Sequence, residues 1–188
     1  LNAPLEVKKA FQFLHSTDPR TKRDGEGYIP SDQLFVFSPD SQKIFFKKAK
    51  RFTRSEMMVM DMLSTNDWKR PIYFAVTIGN DYHLGLDPYL ELTGMAYRIT
   101  PERSKDGRPR VNTEVMYDNM LNKFKYGNMH VPGIYIDENT MRMCRTHRMM
   151  FLDLIEALYQ EGKYDQCLEV LDFAEQVLPG YNISYDYT

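Results

Sequence analysis

Apolar and polar residues alternate along the chain with two periods, and the changes of period mark the elements. Residues 4–16 carry Leu5, Phe11 and Leu14 near one helical face behind Pro4, predicting a short amphipathic helix. A polar loop over 17–31 follows. Gln33–Phe37 and Lys43–Phe46 are β-favouring runs separated by Ser38-Pro39-Asp40-Ser41, a turn composition, so they predict a hairpin. Thr53 or Ser55 can cap a helix running to Leu63, with Met57, Met60 and Leu63 on its apolar side. The almost uninterrupted apolar run within 70–78 predicts a strand buried on both faces, and 89–98 a further strand with Gly94 as a bulge. Asn112 or Thr113 opens a helix predicted to reach about Lys125.

Beyond residue 136 the period is helical throughout. A long pattern from Glu138 to Tyr159 breaks at Gly162 and resumes from Tyr164 to Val177. Phe151, Leu154, Ala157-Leu158-Tyr159, Gly162, Tyr164, Leu171, Ala174 and Pro179 fall at tetratricopeptide spacings, with Ile155 and Cys167 where small residues are usual. Cysteine suits such a site, whereas Ile155 predicts looser helix contact. The expected organisation is therefore an α+β domain over 1–136 and a tetratricopeptide-like helical hairpin over 137–188. The expected fold class is a small mixed or antiparallel sheet covered by helices, followed by that hairpin. One such hairpin cannot bury both its faces, so it is expected to pack on the preceding domain, on further repeats past Thr188, or on both, as the first unit of an array.

Composition narrows the chemistry. The 188 residues are 43% hydrophobic and 27% charged with a net charge of −2, which suits a globular chain and lacks the basic excess of a nucleic-acid binder. Apolar runs stop far short of the roughly 18 residues that a membrane span needs. Charge is uneven, however. Residues 41–54 hold six cations and no acid, while 151–188 hold eight acids and one lysine. Interleaved with Phe45, Phe46 and Phe52, the cations Lys47, Lys48, Lys50 and Arg51 are candidates for contact with an anionic membrane or a partner, against the alternative of a lysine-protected strand edge. Trp68 and Tyr82 are candidates for stacking on sugar or on a partner, although the position of Trp68 just ahead of the buried strand favours a packing anchor.

Two cysteines, Cys144 and Cys167, are too few for a disulfide framework, and Cys144 with His147 makes half a metal site at most. No metal and no cofactor is expected. No GxSxG, P-loop, HExxH or GxGxxG occurs. Acids such as Asp81, Asp87 and Glu91 could serve acid–base chemistry only if a cleft gathers them.

The stretch from Ser55 through Met60-Asp61-Met62-Leu63 and Asn66-Asp67-Trp68-Lys69-Arg70-Pro71-Ile72-Tyr73-Phe74-Ala75, with Leu84-Gly85-Leu86 and Leu92-Thr93-Gly94-Met95-Ala96-Tyr97-Arg98, resembles the C-terminal soluble region of large bacterial multispanning membrane proteins. That family is one of unknown function related to protein O-mannosyltransferases. The resemblance implies a parent with an N-terminal membrane domain of the lipid-linked-sugar glycosyltransferase type. It places this chain on the extracytoplasmic, or periplasmic, face, and puts the catalytic acid in a membrane-domain loop that the chain does not contain, so no catalytic residue carries over. It implies a noncatalytic accessory domain whose partners are its own membrane domain and an acceptor protein or glycan. The alternatives are a self-contained carbohydrate-active enzyme and a structural spacer. An enclosed pocket with converging acids would favour the enzyme, and an exposed groove beside the helical hairpin an interaction module.

Overall fold

The computed structural model describes residues 3–185. In chain order the elements are β1 (Leu5–Glu6), α1 (Val7–His15), β2 (Lys22–Arg23), β3 (Glu26–Gly27), β4 (Leu34–Phe37), β5 (Lys43–Phe45), α2 (Arg54–Asn66), β6 (Tyr73–Ala75), β7 (Leu90–Leu92), β8 (Ala96–Ile99), β9 (Arg110–Val111), α3 (Thr113–Asp118), α4 (Glu138–Gln160) and α5 (Tyr164–Val177). The chain is thus α+β and ends in a helical hairpin, in which α4 packs on α5. It forms two compact units. One comprises Leu1–Leu90 with Arg98–Pro109, the other Glu91–Tyr97 with Arg110–Thr188.

The first unit is built on a three-stranded sheet in the order β1-β4-β5, with β1 parallel and β5 antiparallel to β4. The β4–β5 hairpin closes as the spacing predicts. Ser38 N–H donates to the Gln42 carbonyl, and Ser41 takes a left-handed φ of 60° in the turn. Leu34, Val36, Ile44 and Phe46 are buried, and α1 and α2 pack against β4 through Val7, Ala10, Met60 and Leu63, also buried. The first helix starts three residues later than its apolar pattern suggests. Leu5 N–H donates to the Gln33 carbonyl, so Leu5–Glu6 is drawn into the sheet instead. Gly27 on β3 lies against α1 so closely that a Cβ would stand 2.6 Å from the Leu14 carbonyl oxygen.

Helix α2 has a complete capping box. Thr53 Oγ1 accepts from Glu56 N–H, and the Glu56 carboxylate accepts from Thr53 N–H at 2.7 Å. The helix reaches Asn66, three residues past Leu63. There the Asn66 amide brackets Arg70, donating to its carbonyl at 2.7 Å and accepting from its N–H at 3.2 Å. Asp67 and Trp68 both adopt left-handed backbone, with φ of 51° and 59°, a strained pair for residues with side chains. The indole secures it by donating from Nε1 to the Phe37 carbonyl at 2.8 Å.

The run after Trp68 is not a strand buried on both faces. Only Tyr73–Ala75 is extended; Phe74 is buried while Tyr73 is 49% exposed. An apolar run does not distinguish a two-sided strand from a one-sided strand followed by turns, and here turns at Asn80–His83 and Asp87–Tyr89 bury Leu84, Leu86 and Leu90 instead.

In the second unit, Glu91 and Leu92 of β7 pair in parallel with Arg110 and Val111 of β9. Gly94 is not a bulge in one strand but the turn between two, closed by Thr93 N–H donating to the Ala96 carbonyl. Its φ of 134° and a would-be Cβ 2.9 Å from the Phe124 ring both demand glycine. Asn112 caps α3 through Val115 N–H. The helix predicted to reach Lys125 instead loosens into a π-helical turn, Asn119–Lys123, and Phe124 is extended. Asn119 there turns its amide to the Thr93 carbonyl at 2.7 Å.

The two helices of the hairpin keep the bounds that their helical period predicts. Asp137 caps α4 through Asn139 and Thr140 N–H, and Gly162 supplies the left-handed residue between the helices, with φ of 75°. Phe151, Leu154, Leu158, Cys167 and Val170 are buried, and the Cys167 thiol lies 3.5 Å from the Ile155 carbonyl where the helices meet. Thr113 at the start of α3 donates to Glu161 at 2.8 Å, joining α3 to the α4–α5 turn.

Candidate interaction surfaces

Alternation along β4 and β5 puts Phe35, Phe37, Lys43 and Phe45 on the face of the hairpin opposite its core residues. Phe35 is buried by its own neighbours. Phe37 meets it edge-on at 5.3 Å between ring centres, Phe45 lies 5.7 Å away, and the Lys43 ammonium sits over the ring at 4.8 Å. Phe37 and Phe45 remain 43% and 38% exposed. This ring–cation face is readable in the strict alternation of 34–37 and 43–46, although only Phe45 and Phe46 stand out by sequence proximity to the cations.

The predicted cations divide. Lys48, Lys50 and Arg51 are exposed. Lys47 joins three segments. Its ammonium pairs with Glu56 at 2.9 Å and donates to the Asp81 carbonyl at 3.1 Å, while its N–H donates to the Leu84 carbonyl. The hydrogen bond from Thr53 N–H, and then Lys47, hold the Glu56 carboxyl below its ordinary range. Beside this clasp, His83 is buried with Nδ1 2.8 Å from Asp87 Oδ1 and its ring stacked on Phe74 at 5.5 Å. Sequence spacing did not single out this His–Asp pair, because a lone histidine four residues from an acid has no distinctive pattern.

The two stacking candidates stand in different surroundings. Trp68 lines a small hollow with Glu6, Lys8, Phe37 and Leu63, and its indole N–H is engaged with the Phe37 carbonyl. Tyr82 is 64% exposed and does not line that hollow. Of the three acids weighed for catalysis, Asp87 is engaged with His83 and Glu91 accepts from Arg110 Nε at 3.1 Å.

In the second unit a hollow of about 170 Å³ opens beside the helical hairpin, lined by Phe151, Leu152, Ile155, Leu171 and Ala174 and bounded by Arg148 and Tyr185. Arg148 gathers the returning chain. Its guanidinium donates to the carbonyls of Leu178, Ile183 and Ser184 and lies 4.1 Å from the Tyr185 ring centre. Neither hollow is lined by Asp81, Asp87 or Glu91. Cys144 and Cys167 are free, buried thiols, and burial pushes the Cys144 pKa up, the direction that disfavours a reactive thiolate. Among the described residues no group of three metal-ligating side chains converges, and no helix is long and apolar enough to cross a membrane.

No curated protein and no solved structure matches the chain. A family model does match in part: residues 33–116, from the β hairpin to the first turn of α3, match TMEM260-associated domain 2. That stretch fits a domain of the TMEM260-like protein family.

Proposed function

We propose that this chain is a noncatalytic accessory region of a multispanning, glycosyltransferase-like membrane protein related to protein O-mannosyltransferases. It works on the extracytoplasmic side of the membrane, where it contacts the membrane surface and an acceptor or partner protein. The observation that carries this reading is the outward face of the β4–β5 hairpin, which lies within the matched stretch. Exposed Phe37 and Phe45 flank a lysine-capped ring, and Lys48, Lys50 and Arg51 follow in the chain with no acid between residues 41 and 54. Rings that enter the headgroup layer beside cations that meet anionic lipid form a surface adapted to a charged membrane. Each cation near such a surface contributes about 1 kcal/mol. The hollow beside the helical hairpin supports the second half of the reading, contact with a protein.

Sedimentation with vesicles of neutral lipid, with and without anionic lipid, tests the membrane half. The chain is expected to pellet only with anionic vesicles. Reversing Lys48, Lys50 and Arg51 to Glu while sparing the structural Lys47 is expected to abolish pelleting, and Phe37→Ser with Phe45→Ser to weaken it. Equal sedimentation of wild type and the charge-reversed variant removes the membrane contact from the reading.

A further inference from the structure

Helix α4 carries a second face, directly opposite the one that packs inward. Arg142, Arg145, Met149, Leu152, Glu156 and Tyr159 recur at alternating steps of three and four residues, the spacing of a coiled-coil seam, and all six are exposed. Met149, Leu152 and Tyr159 are 46%, 41% and 64% exposed, whereas Phe151, Leu154 and Leu158 on the packed face are at most 1%. A helix of an isolated globular chain has no need of a heptad seam on its solvent side.

The order of residues along the seam identifies its occupant. Reading from the N-terminus, it is two arginines, two apolar residues, then an acid and an aromatic ring. Laid antiparallel on a copy of itself about a two-fold axis beside residues 150 and 151, each member meets a complementary one. Arg142 faces the partner's Tyr159, a cation over a ring; Arg145 faces the partner's Glu156, an ion pair; Met149 faces the partner's Leu152. Two-fold symmetry then generates each contact twice, as an isologous interface requires. A parallel pairing would set each arginine against the same arginine and each Glu156 against its copy.

We propose that this chain self-associates as an antiparallel two-fold dimer through the Arg142–Tyr159 seam of α4. Six side chains a side bury less than the roughly 800 Å² per partner of a standard interface, so the dimer is weak and concentration-dependent.

Sedimentation equilibrium on the 188-residue chain tests it with charge variants. Arg145→Glu and Glu156→Arg each place like charges opposite one another twice per dimer, and each alone is expected to raise the dissociation constant at least about tenfold. An equimolar mixture of the two variants restores both Arg–Glu pairs, one in each direction, and is expected to associate about as well as wild type. The double variant R145E/E156R is expected to recover likewise. Wild-type protein that stays monomeric up to about 500 µM, single variants that dimerise as wild type does, or a mixture no better than its components would each overturn the proposal. Recovery in the mixture cannot arise from variants that have merely lost their fold.

Discussion

Each unit contains a hairpin, and the two are held in opposite ways. The β4–β5 hairpin is secured by segments distant in sequence. Phe46 N–H bonds the Leu34 carbonyl and Ala49 N–H the Asp32 carbonyl within the hairpin, but Lys47 N–H reaches Leu84 and the Trp68 indole reaches back to Phe37. The α4–α5 hairpin closes chiefly on its own residues, Leu154 and Leu158 on one helix and Cys167 and Val170 on the next, with Tyr126 against Phe151 and Phe173 and Thr113 bonded to Glu161 as its links to earlier segments. Distant segments therefore brace a surface of rings and cations, while local contacts brace one of apolar residues and acids. The difference predicts which substitutions act at a distance and which stay local.

The largest expected effect is in the local hairpin. Leu154 is completely buried, so Leu154→Ala removes apolar burial and leaves a cavity, at a cost of about 2–5 kcal/mol in urea unfolding. Leu171→Ala on the exposed side of α5 is expected to stay within about 0.5 kcal/mol of wild type. If the two cost the same, the division of this hairpin into a packed and an open side is wrong.

His83→Ala tests the other mode. It removes a buried ring stacked on Phe74 and strips Asp87 of its partner, an expected loss of about 2–3 kcal/mol. More diagnostic is where the loss is felt. His83 lies next to Leu84, whose carbonyl accepts from Lys47, so faster amide hydrogen exchange is expected at Lys47 and Phe46, about 36 residues away in sequence. Amides of α5 should be unchanged. Faster exchange confined to residues 80–90 would show that the loop does not brace the hairpin.

These two modes also explain what was legible in the sequence. The bounds of the helical hairpin could be read almost to the residue, because they follow from a helical period and the Gly162 break within one segment, whereas the Asp137 cap and the exposure of Tyr159, Tyr164 and Leu171 could not. The β4–β5 hairpin was readable as an alternation about a turn. What escaped was set by distant partners: Leu5–Glu6 joins a strand because Gln33 offers a carbonyl, and the apolar run at 70–78 is shortened because Leu84, Leu86 and Leu90 compete for the interior. The candidate surface was half legible. The cation cluster is plain in the sequence, but that Lys47 is committed to Glu56 and Asp81 while Phe37 faces outward depends on segments meeting in space.

Thr53→Ala breaks the capping box of α2 and is expected to cost about 1 kcal/mol at neutral pH. Glu56 is the charged member of that box, and its folded pKa lies below its ordinary 4.5. The stabilisation it brings is therefore fully present above 4.5 and is lost as pH falls through the lower, folded value. The difference between wild type and Glu56→Gln, followed by thermal unfolding, should shrink steadily on acidification below pH 4.5. A difference that persists unchanged into strong acid would mean that the box acts through shape rather than charge.

The smallest effect carries the opposite sign and lies in the other unit. Burial, and then the like charge of Glu156, raise the Asp153 carboxyl above its ordinary 3.8. A carboxyl that holds its proton more tightly in the folded chain than in the unfolded one destabilises the fold when ionised, so Asp153 opposes folding at neutral pH and is relieved as pH falls through the raised, folded value. Asp153→Asn is accordingly expected to raise the melting temperature slightly at pH 7, with the gain disappearing in acid, where the native side chain is already neutral. Glu156→Gln should reproduce part of that gain by removing the second cause. A destabilised Asp153→Asn at pH 7 would place the carboxylate among favourable partners and reverse the sign assigned to its burial.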